Sequence, residues 1–263
     1  MLNKMTVIVV ALLMAALPVV ADRVQIDETR KTTSNGEVSV ELLAGTITVI
    51  GWDRNEVHVT GSYDDEFEEF EIDVEKGEVS IEVDIDDGDS RHRNIQRSAD
   101  LTVKVPRGSE ISIEAISADI TIEDVTGEVD VEVISGDIEC RGGMEEISIE
   151  CVSGDIDIET TAALRGADIE AVSGNIEFRG ALGDGARVSV ESVNGSVVLR
   201  LPSNTSAKFE ISTFNGSIKN DFGPQAEKSS KYLPASELNF SIGGGSARVS
   251  VEAFNGTVRL IEE

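Results

Sequence analysis

A five-residue phrase recurs along the chain, and its spacing constrains the fold more than any other feature of the sequence. Residues 134–138 show it as Ile-Ser-Gly-Asp-Ile, with Gly136 at the centre. The equivalent central residues are Ala118, Gly136, Gly154, Gly174, Gly195, Gly216 and Gly256. They lie 18, 18, 20, 21, 21 and 40 positions apart, so the first six phrases form an array and the last gap is about two repeats long. A period near twenty, built from strand-forming residues, is typical of a solenoid.

Apolar residues alternate with polar ones on both sides of each centre, which predicts one inward face per strand. The positions five before and two after the centre are β-branched in every repeat, and the position four after it is mostly apolar. The first set is Ile113, Val131, Ile149, Ile169, Val190, Ile211 and Val251, and the second is Ile120, Ile138, Ile156, Ile176, Val197, Ile218 and Val258. Stacked repeats would join these residues into ladders of like side chains that exclude water.

The central Gly and its polar neighbours predict a bend between two short strands. A repeat of 18 to 21 residues suffices for one coil of two or three strands, and coils would stack about 4.8 Å apart. We therefore predict an all-β fold, a parallel β-solenoid of the β-helix or β-roll kind. Residues 106–263 would form the repeat array, and residues 22–105 an irregular β cap with the first coils. Within that cap, residues 37–49 already resemble one repeat centred on Gly45.

Residues 1–21 have the pattern of a signal peptide: Lys4, an apolar run over residues 7–17, and small residues before Asp22. A membrane anchor is the competing interpretation, although the run is short for a span. No later stretch is apolar enough to cross a membrane. The sequence thus predicts an exported protein that is periplasmic, attached to the cell surface or secreted, with no membrane span after cleavage.

The chain is strongly acidic, with 50 acidic against 22 basic residues and a formal net charge of −28. That charge excludes nucleic acid as a partner. A column of glutamates stands four residues before the repeat centres: Glu114, Glu132, Glu150, Glu170, Glu191 and Glu252, with Ser212 breaking it. Its neighbours point inward, so it must point outward. The column is either a solvated face or, with Asp119, Asp137 and Asp155 at the adjacent corner, a surface for divalent cations; no cofactor is predicted.

The only two cysteines, Cys140 and Cys151, occupy inward positions on consecutive strand segments. In an oxidising compartment they could form a disulfide across one coil. The alternative is a pair of small buried thiols that fill the core.

Two insertions interrupt the pattern and carry the candidate contact residues. Residues 86–100 hold Arg91, Arg93 and Arg97, a basic spot that either pairs with nearby acids or docks to an anionic polymer. Residues 220–237 form a long loop with Lys228, Lys231 and Tyr232. Long loops on rigid scaffolds often carry recognition, and the alternative interpretation is a disordered excursion.

No arrangement of residues in the sequence indicates catalysis. The two histidines lie in different segments, and neither a Gly-x-Ser-x-Gly elbow nor a phosphate-binding glycine loop occurs. The sequence favours a non-enzymatic protein. The alternative is a polysaccharide-binding or polysaccharide-cleaving β-helix protein. Support for it is weak, because few aromatic residues are present to stack on sugar rings.

The recurring phrases, the Gly-Trp-Asp turn at residues 51–53, the Leu-Pro linker at 201–202 and the three glycines at 243–245 resemble the bacterial putative-adhesin family, a domain of unknown function with β-strand repeats. The resemblance covers roughly residues 35–263 and implies an exported or surface-exposed β-solenoid without catalytic residues. It implies an adhesin-like or structural interaction module of the cell envelope. Its partner would be an envelope or surface protein or a glycan.

Overall fold

The computed structural model describes residues 23–64, 69–84, 98–228 and 235–263, and the regular elements in those ranges are all β-strands. The first nine are β1 (Arg23–Lys31), β2 (Glu37–Trp52), β3 (Glu56–Asp64), β4 (Glu69–Glu75), β5 (Glu78–Asp84), β6 (Ala99–Pro106), β7 (Glu110–Glu123), β8 (Val129–Ser135) and β9 (Ile138–Gly142). The next five are β10 (Glu146–Ser153), β11 (Ile156–Thr160), β12 (Leu164–Ser173), β13 (Ile176–Arg179) and β14 (Leu182–Asn194). The last five are β15 (Val197–Leu201), β16 (Ala207–Asn220), β17 (Glu227–Lys228), β18 (Ser236–Ile242) and β19 (Ala247–Glu262).

Each recurring phrase is the corner between two strands that belong to different layers. Layer 1 contains the strand before the corner and layer 2 the strand after it; the long strands β2, β7, β16 and β19 run through the corner and contribute to both. Equivalent residues of successive repeats pair in parallel: Ile149 lies beside Val131 and Ile169 in layer 1. In layer 2, Ile156 lies beside Ile138 and Ile176. The parallel stacking of repeats predicted from the spacing is confirmed.

The spatial order of the repeats differs from their order in the chain at the C-terminal end. Strand β19 lies between β14 and β16 in layer 1, and between β15 and β16 in layer 2. The gap of 40 residues before the last phrase is filled in part by β18, which folds back antiparallel on β16. Because β18 occupies one edge of β16, β19 pairs along the other edge and enters the stack one position early.

The N-terminal region combines one full repeat with parallel strands that extend the stack and with antiparallel strands. The division of the chain into a β cap and a repeat array stays a prediction. Strand β2 is a full repeat with Gly45 beside Ala118, as the sequence indicated. Beyond it, β5 and β6 continue the two layers in parallel, β4 pairs antiparallel with β5, and β1, β3 and β6 form an antiparallel set. Alternation of apolar residues predicts a strand, but it does not distinguish parallel from antiparallel neighbours.

The two layers enclose one hydrophobic core. All the β-branched residues predicted to point inward are buried, and they belong to a single cluster with Phe178, Leu199 and Leu260. The corner at Gly174 needs glycine because the stacked backbones approach closely there: φ is +143°, and a Cβ would lie 1.8 Å from the carbonyl oxygen of Gly154. Because corner and core residues recur in each repeat, equivalent outward residues also lie side by side. These outward residues form the candidate site.

Candidate functional site

The outer face of layer 1 carries a row of exposed apolar side chains, which we call the apolar stripe. Its members stand two residues before the repeat centres, and each is between 42% and 53% exposed. In spatial order they are Ile116, Ile134, Val152, Val172, Val193, Phe254 and Phe214. At about 4.8 Å per repeat, seven rows extend over about 29 Å. The stripe ends in Phe254 and Phe214, whose rings stack 4.8 Å apart.

The side chains of the stripe point outward because the residues before them in each strand are alternately exposed and buried. In β10, Ile149 and Cys151 are buried, so Glu150 and Val152 point to solvent. Sequence reasoning missed this surface, although the stripe residues begin each recurring phrase. The available signal was an apolar residue recurring at an outward position, two residues after an exposed glutamate.

The glutamates predicted to point outward are exposed and form a ladder beside the stripe. Register sets Glu114, Glu132, Glu150, Glu170, Glu191 and Glu252 next to one another, in that order. Because β19 precedes β16 in space, Ser212 lies beyond Glu252 and does not break the column. We call these six residues the glutamate ladder. They lie about 6.6 Å from the stripe, which is two residues along a strand.

A groove of about 780 Å³ runs along the face between the ladder and the stripe. Its floor consists of small buried residues three before the repeat centres: Ala115, Val133, Cys151 and Ala171. Seven of the nineteen lining residues are glutamates: the first five of the ladder, and Glu82 and Glu41, which precede Glu114 in the stack. The other twelve lining residues are apolar, and the described lining includes no basic side chain. The groove therefore has an acidic wall, an apolar wall and an apolar floor.

The centre of the acidic wall lacks neutralising partners among the described residues. In the described part of the chain, Glu132, Glu150 and Glu170 take part in no ion pair. The pKa of Glu170 is raised, first by desolvation and then by the charges of Glu191 and Glu150 on either side. A positive charge placed in the groove would relieve that repulsion.

A second outward column, eight residues before the repeat centres, changes sign along the stack. It begins with Glu37, Glu110, Glu128 and Glu146, passes Gly166, and continues with Arg187, Arg248 and Lys208. Partial burial and the charges of Glu128, Glu37 and Asp130 raise the pKa of Glu110. This column is therefore acidic at the end of the face that contains Glu110 and basic at the end that contains Arg248.

The aspartates at the corner hold the repeats together. Asp119 Oδ1 accepts a hydrogen bond from the backbone N–H of Asp137 at 3.0 Å, and Asp137 Oδ1 accepts one from Asp155 at 2.8 Å. Asp155 Oδ1 accepts one from the backbone N–H of Asn175 at 2.7 Å. Within the described residues no group of three or more His, Cys, Asp or Glu is placed to hold a metal ion. The corner carboxylates therefore have a structural role.

Both cysteines are buried free thiols in the structure, on different layers. Cys140 lies in layer 2 between Ile122 and Ile158, and burial raises its pKa to about 12. Cys151 lies in layer 1, under the groove, between Val133 and Ala171. They fill the core as small apolar residues, and a disulfide between them stays a prediction for the oxidised protein.

The basic candidates from the two insertions are not part of the groove as described. Arg91, Arg93, Arg97, Lys231 and Tyr232 lie outside the described residues. Lys228 is exposed on β17, where it pairs with Ser236 of β18, and it does not line the groove. These contact residues stay predictions.

No helix among the described residues is long and apolar enough to span a membrane. The chain has structural similarity to a putative adhesin from Bacteroides fragilis, with 13% identity over 92% of this chain and 99% of that one and a TM-score of 0.49. A putative adhesin from Parabacteroides distasonis has 14% identity over 92% and 98%, with a TM-score of 0.45. A putative cell adhesion protein from Clostridium sporogenes has 11% identity over 91% and 100%, with a TM-score of 0.39.

Comparison of the sequence with protein families gives a match over nearly the whole chain. The model of the Toastrack DUF4097 family matches residues 19–260, a range that contains β1 to β18 and all of β19 except its end. None of the curated proteins compared with the chain is detectably similar.

Proposed function

The chain belongs to the Toastrack DUF4097 family, and we propose that it is an exported, non-enzymatic interaction module of the bacterial envelope, adhesin-like or structural. The groove on the outer face of layer 1 is its contact surface. The observation that carries the proposal is the apolar stripe, seven large apolar side chains held about half exposed in one row. Contiguous exposed apolar surface on a folded protein marks a site of interaction.

The stack explains why such a surface would serve binding rather than stability. The core is already complete without the stripe, because the alternate positions of the same strands are buried. The adjacent outward column shows that the fold accepts charged residues there. Except for Phe214 at the end of the row, each stripe residue belongs to a strand with a parallel neighbour on both sides, so a partner would meet a surface that needs little ordering.

Export is part of the proposal and rests on the signal pattern of residues 1–21. Fractionation of the bacterium that produces the protein should place it outside the cytoplasm. N-terminal sequencing should begin at Asp22 or a close neighbour. Cytoplasmic protein that retains Met1 would refute export.

A polysaccharide-binding or polysaccharide-cleaving role is the competing proposal. The exposed stacked rings of Phe214 and Phe254 favour it, because sugar rings pack against aromatic side chains. A glycan array and a reducing-sugar assay separate the roles. We expect no release of reducing sugar, and release that depends on a carboxylate of the groove would establish the enzyme instead.

Retention on the envelope tests the contact surface. Purified protein should sediment with washed envelopes, and the double substitution Val152→Ser and Val172→Ser should abolish sedimentation while the melting temperature stays within a few degrees of the native value. A control replaces the exposed Glu123 and Asp157 of layer 2 by amides. Equal retention of the stripe variant and the native protein would exclude the groove as the contact surface.

A further inference from the structure

We propose that the groove accepts a basic amphipathic helix, with lysines or arginines along the glutamate ladder and apolar side chains along the stripe. The inference rests on the proposed function and names the partner class of the same site. It follows from three properties of the face: its charge, its period and its width.

The charge of the groove selects the sign of the partner. Seven glutamates line the groove, and the pKa of Glu170 is raised, first by desolvation and then by the charges of Glu191 and Glu150 beside it. A cationic partner removes this repulsion and adds ion pairs, whereas an acidic partner increases it. An uncharged apolar partner would contact only the apolar wall and the floor and would leave the glutamates without a partner. The two-sided lining therefore complements a ligand that is basic on one side and apolar on the other.

The period of the ladder fits a helix better than an extended strand. Glutamates recur about every 4.8 Å across the parallel strands. Residues spaced alternately three and four apart on a helix rise about 5.3 Å per step, whereas alternate residues of an extended strand are about 6.6 Å apart. Over the four steps from Glu114 to Glu191 the helix drifts by about 2 Å, which flexible lysine or arginine side chains can absorb. The strand drifts by about 7 Å, more than one full row.

The length and width of the face set the size of the helix. The lining of the groove belongs to seven successive strands, from β5 to β14, which extend over about 29 Å and correspond to a helix of about 20 residues. The ladder and the stripe lie side by side about 6.6 Å apart, within the 10–12 Å diameter of a helix with its side chains. One helix can therefore contact both walls at once.

A second copy of the chain is a poorer occupant when two such faces overlap fully. A twofold axis parallel to the strands sets the glutamate ladder opposite its own copy. An axis parallel to the stack sets the apolar stripe opposite the column that contains Glu110, Glu128 and Glu146. Both arrangements bury carboxylates without basic partners, which is unfavourable.

The test measures binding of synthetic helices to the full exported chain by fluorescence anisotropy. The probe is a helical peptide of about 20 residues with adjacent lysine and leucine stripes. One control peptide has glutamate in place of lysine, and another has the same composition in scrambled order. We expect the basic amphipathic peptide to bind at least about tenfold more tightly than either control, with affinity that falls as salt rises.

Paired variants locate the site. Glu150→Gln with Glu170→Gln should weaken binding roughly three- to tenfold, and Val152→Ser with Val172→Ser about tenfold or more. Glu123→Gln with Asp157→Asn removes the same charge from layer 2 and should leave affinity within about twofold. Melting temperatures verify that each variant is folded.

Equal binding of all three peptides, absence of binding, or equal weakening by the groove and layer 2 variants would overturn the inference. A peptide-free dimer that the stripe variant abolishes would overturn it too, in favour of a second copy. If peptide binding fails in any of these ways while the stripe variant still loses envelope retention, the helix is wrong and the proposed function stands.

Discussion

Replacing the corner glycine Gly174 by alanine should destabilise the protein more than its small size suggests. The new Cβ would lie 1.8 Å from the carbonyl oxygen and 2.6 Å from the carbonyl carbon of Gly154, both backbone atoms. The residue would also have to keep φ near +143°, which L-residues avoid. The two repeats must separate locally by more than 1 Å to reach normal contact.

The cost follows from these two effects. Backbone strain at such a position costs about 1–3 kcal/mol. Separation also breaks corner hydrogen bonds between these two repeats, since Gly154 N donates to Ser173 O at 3.0 Å and Asn175 N donates to Asp155 Oδ1 at 2.7 Å. Each is worth about 1 kcal/mol. We therefore expect Gly174→Ala to lower the free energy of unfolding by about 2–5 kcal/mol.

Urea denaturation followed by circular dichroism measures this loss, and Ala118→Gly is the matched control. Ala118 occupies the same corner position in the first repeat of the array, where φ is not positive and the methyl group is buried. Its loss should cost only about 1 kcal/mol. A Gly174→Ala cost below about 1 kcal/mol, or one equal to that of the control, would refute the account of the corner.

Three further predictions concern the corner carboxylates, the ladder and the thiols. Asp137→Ala should lower stability by about 1 kcal/mol because the N–H of Asp155 loses its acceptor, whereas Asp137→Asn should not; equal melting temperatures would contradict this. Because the pKa of Glu170 is raised in the folded protein, its ionisation opposes folding. This unfavourable contribution is absent below the pKa of the unfolded state, grows as the pH rises, and is complete above the pKa of the folded state. Glu170→Gln should thus raise the melting temperature slightly at pH 7 and not at pH 3, and a shift that persists unchanged at pH 3 would count against the repulsion. The Cys140 thiol should resist alkylation in the folded protein, because it is buried and its pKa is about 12. Mass measurement on unreduced, denatured protein decides whether Cys140 and Cys151 are bridged: labelling of both would exclude the bridge.

The inward positions and the corners were predictable from the sequence because the fold repeats them. Ile113, Val131 and Ile149 recur at one position, and alternation alone sets their direction. The order of the last repeats was not predictable, since β19 and β16 have similar sequences and either fits beside β14. Only the backward pairing of β18 on β16, a contact between distant residues, settles the order.

The candidate site was half predictable. The glutamate ladder follows from alternation, but the apolar stripe is hard to recognise, because Val152 and its equivalents also belong to the recurring phrase. The unbroken ladder also depended on register, because Glu252 joins Glu191 only through the position of β19. The basic insertions, in contrast, stand out in the sequence, but Arg91, Arg93 and Arg97 lie outside the described residues.

Photo-cross-linking in living cells tests the central claim most directly. A photoreactive amino acid at position 152, in the apolar stripe, should capture a discrete partner. The same amino acid at position 157, on the exposed outer side of layer 2, should not capture it. No adduct from position 152, or the same adducts from both positions, would contradict the assignment of the groove as the contact surface.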